Sequence, residues 1–439
     1  MTLTLQLTNK KAYKKLINSW AMYDWSNSVY NLVITSTIFP IYYTSMTTKT
    51  VNGEFIDTVN FLGINFKSAA LYNYALGFAY LIIAFLSPVL SSIADYKNDK
   101  KMFMKLFTYI GGTACSLLFF FTQDTIGLGL LFFILGAIGY CGGLVFYNAF
   151  LPEIAPPEDR DRVSARGFSF GYVGSVLLQL ICFYFVLAKP LGMDAGMGSR
   201  ISFLLVGLWW IGFAQIPFKA LKERRIPKNN DGINIFSKGF IELRSVWNQV
   251  QKMPVLKSYL AAFFFYGMGV QTVMLAAALF GSQELRLSED KLIISILLIQ
   301  LVAIAGAFSM ARLSKAIGNL KTFLIVVAIW IGICIAAYYT VNEYQFYALA
   351  FTVGLVMGGI QSLSRSTYSK IMPETVDTAS FFSFYDATEK IAIVIGMFTF
   401  GFIQEISGSM RNSILILMVF FSIGLIYLFR TLLIQKRLS

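Results

Sequence analysis

The chain has 439 residues, of which 56% are hydrophobic and only 13% charged, with a mean hydropathy of +0.65; a soluble domain is usually about 25% charged. That balance excludes a water-soluble globular protein and points to a polytopic membrane protein. The formal charge is +13, there is no histidine, and the four cysteines lie within apolar runs. The commonest catalytic base and metal ligand is therefore missing. Cys115, Cys141, Cys182 and Cys334 suit small buried residues better than disulfides or metal ligands. No cofactor, metal site or enzymatic activity is expected.

In chain order, the N-terminal MTLTLQLTNKKAYKKLINS has no small-residue cleavage site, so the first span is read as retained. That span, 21–45, opens on WAMYDWSNSVYN. On a helix Asp24, Asn27, Ser28, Asn31 and Thr35 share one face, a polar stripe suited to lining a cavity. The alternative is that Asp24 is an interfacial anchor flanked by Trp20 and Trp25. Apolar runs at 69–93, 103–122, 126–150, 167–188 and 200–219 predict five more spans, the third and fourth separated by a hinge at Gln123 and Asp124. A long basic connection, Lys219 to Lys257, follows. Within it Phe236, Phe240, Leu243, Trp247 and Val250 recur at helical spacing. This predicts an amphipathic helix, either on the inner leaflet or against the protein's own inner face. Six further spans are predicted at 256–280, 292–312, 322–341, 346–366, 380–403 and 412–431. The domains divide as 1–218, a linker 219–254, and 255–439.

Ionisable groups inside spans are costly and usually face a cavity or a partner. The eleventh span carries SFFSFYDATEKIAIVIG, where Asp386 and Lys390 are i, i+4 and can pair. Glu389 is then unpaired, or the three form one network. Gln179, Gln271, Gln300 and Gln361 are single amides in spans, each either an interhelical hydrogen bond or a solute contact. Arg365, at the inner end of the tenth span, can hold a carboxylate bidentately, contact headgroups or gate. Arg166, in SARGFSF, is a second candidate gating residue. Glycine faces at Gly139, Gly142 and Gly143, at Gly167, Gly171 and Gly174, and at Gly354, Gly358 and Gly359 suit close helix packing.

Orientation follows from Lys and Arg in the connections. With the N-terminus inside, inner segments carry about 28 and outer segments about seven, alternating loop by loop. The basic charge is thus a topology signal, both termini are expected inside, and nucleic acid is not an expected partner.

The halves repeat. Tyr147-Asn-Ala-Phe-Leu-Pro-Glu153 and Tyr368-Ser-Lys-Ile-Met-Pro-Glu374 share Y-x-x-x-[LM]-P-E, 221 residues apart. Ser164–Phe170 matches Thr378–Phe384, and IADYKNDKK lies opposite LSKAIGNLK at a similar offset. An all-α membrane protein of twelve helices in two pseudo-symmetric six-helix bundles, the major facilitator architecture, is expected. WAMYDWSNS, YNAFLPEIAPPEDRDRVSARGFSFGYVG and GGIQSLSRSTYSKIMPE resemble the branch containing fungal vacuolar amino-acid effluxers and their bacterial relatives. The resemblance covers nearly the whole chain and implies a secondary transporter, with amino acids as a solute class. It also implies that Asp95 faces the end of the eleventh span as a gating residue. The superfamily pattern G-x-x-x-D-R-x-G-R-R is altered here: Ser91, Tyr96 and Asn98 replace the first glycine, first arginine and second glycine.

The expected function is alternating-access transport of a small polar organic solute, with proton coupling as symport or antiport, by a monomer in a bacterial inner membrane. The candidate solute or coupling residues are Asp24, Asn27, Asn31, Gln179, Gln271, Gln361, Asp386, Glu389 and Lys390; the candidate gate is Asp95, Arg166 and Arg365. A passive channel, a lipid scramblase and a non-transporting scaffold are the competing readings.

Overall fold

In the computed structural model, residues 10–51, 54–223 and 235–438 are described. Residues 1–9 and the later part of the basic run, 224–234, lie outside them. Eleven helices among the described residues are long and apolar enough to cross a membrane. They are Ser68–Lys97, Lys100–Leu117, Ile126–Ala149, Arg160–Leu187, Ala195–Ala220, Pro254–Gln283, Glu289–Ile317, Asn319–Tyr339, Glu343–Ile371, Thr378–Ser407 and Met410–Leu438, here the second to twelfth spans.

The first span is built differently. An α-helix, Lys10–Val29, widens into a π-helix, Tyr30–Thr37, and resumes as Ile38–Thr47. The wide turn has a local cause. Ser36 Oγ donates to the Asn31 carbonyl and Thr37 Oγ1 to that of Leu32, each five residues back. Pro40 then sits in the first turn of the new helix, where its missing N–H costs nothing. The helix begins eleven residues before the predicted limit of 21. Asp24 therefore lies roughly 21 Å along it from Lys10 at 1.5 Å per residue, not at its mouth.

The spans form two six-helix bundles. Close approach is set by glycines. A Cβ on Gly139 of the fourth span would lie 2.4 Å from Gly111 Cα of the third, and one on Gly358 of the tenth would lie 2.0 Å from the Ala303 carbonyl of the eighth. The duplication is visible in the turns. Asn98, after the second span, has φ 52°, and Gly318, after the eighth, has φ 89°. Asn is among the few side chains that tolerate the left-handed region, so it can stand where the superfamily pattern has glycine. Between the first and second spans lie two hairpins, Lys49–Val51 with Glu54–Ile56 and Thr58–Phe61 with Ile64–Lys67.

The connection between the halves contains a helix, Ile235–Lys252. It packs with Val246 and Val250 buried, while Phe240 and Trp247 stay largely exposed. The seam therefore differs from the predicted stripe: Val246, outside that stripe, takes the inner place. Trp247 reaches only the edge, near the Phe384 ring. Nothing is described of the Phe236 side chain. We call the side of the protein bearing this helix and the turns at 98, 156, 318 and 373 the basic face.

Gly139→Ala is expected to destabilise by about 1–3 kcal/mol, the usual cost of overpacking. Gly212→Ala should be neutral, since its Cβ meets nothing within 4 Å. Thermal midpoints in detergent check this; equal midpoints would refute the packing argument.

Candidate functional site

Arg365 lies on the tenth span, in the second bundle, yet every polar group it is bonded to belongs to the first. Nη1 donates to Asp24 Oδ2 at 3.1 Å and to Asn148 Oδ1 at 3.2 Å; Nε and Nη2 donate to the hydroxyl and carbonyl of Ser164, each at 2.9 Å. The guanidinium is sandwiched by Trp20, Tyr147 and Phe168, with centroids 4.9, 5.3 and 4.3 Å away. Tyr147 donates a further bond to Asp24 Oδ2 at 2.7 Å, and Trp20 stacks on Tyr147 while donating to its carbonyl. Asp24 and Arg365 are both buried. Two desolvated charges persist only when geometry and further hydrogen bonds repay the desolvation; here all three guanidinium nitrogens donate, in four hydrogen bonds. Gly167 makes room, because a Cβ there would meet Asp24 Oδ2 at 2.4 Å and Arg365 Nη2 at 2.7 Å.

Above this plug, between the bundles, is a cavity of about 140 Å³. Its walls include Ser28, Asn31, Tyr80, Tyr140 and Tyr172 from the first bundle and Tyr266, Gln271, Gln300, Gln361, Glu389 and Lys390 from the second. Lys390 Nζ lies 2.6 Å from Glu389 Oε2 and 3.3 Å from Asp386 Oδ1, and 6.0 Å from the Tyr80 ring centroid across the interface. Gln271 donates to Glu389 at 3.0 Å. Of the two alternatives, the three charges thus form one network and Glu389 is not unpaired. Asp386 Oδ2 is buried with no hydrogen-bond partner. Tyr172 donates to Gln361 at 2.7 Å, a second link between bundles. In all, two cations, Arg365 and Lys390, meet three carboxylates, Asp24, Asp386 and Glu389, leaving one carboxylate in excess.

Towards the basic face the bundles are laced together. Asp95 accepts from Ser380 N and Oγ, both at 2.7 Å, at the start of the eleventh span. Lys100 is buried, pairs with Glu153 and donates to Thr378 at 2.8 Å. Asp161 accepts from Lys370 at 2.6 Å, Ser314 at 2.8 Å and Asn319 at 2.9 Å. Every one of these groups brings the first bundle to the second.

The predicted residues separate. Asp24, Asn31, Gln271, Gln361, Glu389 and Lys390 line the cavity, as does Arg365, which lies within its span instead of at the inner end. Asp386 sits behind Lys390. Asn27 does not line it: it is fully buried at the edge of the stripe, its amide unpartnered. Gln179 is also elsewhere, accepting a hydrogen bond from Thr37 of the widened turn at 2.9 Å. Arg166 lies over Phe170 of its own helix, with no hydrogen bond across the interface among the described residues. The sequence reading missed Lys100, Asp161 and Lys370, whose sign was charge in short connections of opposite halves. It also missed Tyr80, Tyr140 and Tyr172, which nothing distinguishes among 23 tyrosines.

Two six-helix bundles around a polar cavity, sealed at one end, define a transporter of the major facilitator class. The family model described as vacuole effluxer Atg22 like matches residues 12–437, and the chain belongs to that family. It is 31% identical to the uncharacterized MFS-type transporter YxiO of Bacillus subtilis (strain 168), over 95% of both chains. It is 25% identical to autophagy-related protein 22-2 of Aspergillus oryzae, over 81% of this chain and 73% of that one. Among solved structures, the E. coli fucose:proton symporter FucP superposes with a TM-score of 0.68 at 14% identity, covering 96% of this chain and 98% of that one. The proton:xylose symporter XylE gives 0.69 at 14%, covering 96% of each. These last two likenesses are of fold.

Arg365→Ala leaves Asp24 buried without its partner and is expected to cost about 3–5 kcal/mol. Arg365→Lys, which keeps the charge but not the fork, should fall between. Adding Asp24→Asn to Arg365→Gln should recover much of the loss. Thermal unfolding of these variants and of Asp24→Asn alone decides this; strictly additive effects would show that the pair is not coupled.

Proposed function

We propose that the chain is a proton-coupled secondary transporter of a small zwitterionic solute, an amino acid. The observation that carries this reading is the charge arrangement in the cavity. Lys390 and Glu389 present a cation and an anion 2.6 Å apart on one wall. A zwitterion inserting there exchanges one ion pair for two, its ammonium on Glu389 and its carboxylate on Lys390. Gln271 holds Glu389 in place for it. The excess carboxylate is the seat of a proton: an unbalanced charge in a low-dielectric cavity is costly, and protonation relieves it. Family membership supports transport as the activity.

The distribution of Lys and Arg supports a cytoplasmic basic face, with both termini inside and the protein in a bacterial plasma membrane. On that reading the conformation here is closed to the cytoplasm. Arg365, Asp161 and Asp95 are its inner gate, and opening requires the Arg365–Asp24 pair to part. The units that rock are residues 1–218 and 255–439, joined by 219–254. A sealed inner end argues against a passive channel, which needs a continuous polar path.

Proteoliposomes containing the purified chain, offered single labelled amino acids with and without an imposed pH gradient, test this reading. Saturable accumulation that follows the gradient is expected. Asp386, whose Oδ2 has no partner, is the carboxylate assigned to the proton: Asp386→Asn is expected to keep solute exchange while losing most gradient-driven accumulation, whereas Glu389→Gln, which removes the ammonium's partner, is expected to weaken exchange itself. Non-saturating flux indifferent to the gradient would establish a passive pathway instead, and unchanged coupling in Asp386→Asn would remove Asp386 from the proton's route.

A further inference from the structure

A second hollow of about 700 Å³ lies on the basic face, where the seventh and ninth spans begin and the twelfth ends. Its lining includes Lys252, Lys321 and Lys370 and, among the described residues, no carboxylate side chain. Lys252 and Lys321 are exposed. Lys370 is half-buried and tied to Asp161. The remaining lining is largely apolar, with Leu256 on one side and Leu432 on the other. Neither helix that begins here is capped by a side chain, so their first-turn N–H groups add positive potential to the lysines.

From this combination we infer a binding site for an anionic phospholipid, its headgroup phosphate among the three lysines and its glycerol and acyl carbons against the leucine walls. A site at the ends of membrane spans lies at headgroup depth, where a lipid is already present at high local concentration. Lysines near an anionic leaflet each add attraction, and the apolar walls give a lipid an advantage over a free anion.

The site is wired to the seal between the bundles. Asn319 and Lys370 line it, and these same two residues hold Asp161 at 2.9 and 2.6 Å. A phosphate in the hollow competes with Asp161 for Lys370. Occupancy therefore loosens one clamp between the halves and shifts the population towards opening on the basic face. This regulation does not depend on which solute the cavity carries.

The test uses the full-length protein and two readouts. Native mass spectrometry, with phosphatidylglycerol, phosphatidylcholine or inorganic phosphate added, reads binding. Spin labels on Arg162→Cys and Lys315→Cys, both exposed residues beside the seal, read opening; the four native cysteines are buried. Phosphatidylglycerol is expected to bind and to increase the fraction of long label distances. The Lys252→Gln/Lys321→Gln double variant, altered only at exposed positions, should bind it roughly thirtyfold more weakly and lose the distance change. Undiminished binding by that variant, equal retention of phosphatidylcholine, or equal occupancy by inorganic phosphate would overturn the lipid site. Binding without any change in distance would overturn its link to the seal.

Discussion

The structure depends on one buried ion pair. Arg365 belongs to the second bundle by chain and to the first by bonding, and a charge so placed cannot leave its pocket without Asp24 becoming an uncompensated buried anion. Much of the surrounding sequence follows from that constraint. Gly167 must lack a side chain. Trp20, Tyr147 and Phe168 supply aromatic faces to the guanidinium. Tyr147 and Ser164 complete the hydrogen bonds that repay desolvation. The pair lies at the cavity floor and bonds one half to the other, so on the proposed reading closure and access to the site are controlled by the same atoms.

Deeper in the cavity the Lys390 network has a different character. Every nitrogen of Arg365 has a partner, whereas Lys390 is shared unequally between two carboxylates, one of which has an oxygen with no partner. On the proposed reading this is the part of the site that rearranges around a solute. The tenth and eleventh spans thus carry two kinds of charge: one whose three nitrogens all have partners, one beside a carboxylate oxygen that has none. The Tyr80 ring brings the first bundle to the Lys390 cluster as well, and the Tyr172–Gln361 bond links the bundles at another part of the cavity wall.

The seal on the basic face shows how a duplicated fold is made asymmetric. The turns at Asn98 and Gly318 occupy corresponding places and both have positive φ, though their ψ differ, 46° and 153°. In the first half the turn leads to Lys100, buried among Glu153 and Thr378. In the second it leads to Asn319, which with Lys370 holds Asp161. Corresponding turns therefore clamp the interface with different chemistry, and only the second borders the lysine-lined hollow.

The sequence by itself determined the number and order of spans, their duplication, the alternation of basic connections and the polar character of the first and eleventh spans. These are one-dimensional properties, written in hydropathy and spacing, and lipid enforces them strongly. It also marked Asp24, Glu389 and Lys390, because a charge inside an apolar run is conspicuous wherever it points. Tertiary structure alone decided partnership. Asp24 and Arg365 are 341 residues apart, and no periodicity links them. Asn27 and Asn31 differ by one helical turn, yet one is buried in packing and the other faces the cavity. Helical spacing assigns a face to a residue; only the packed neighbours decide whether that face meets solvent, solute or another helix.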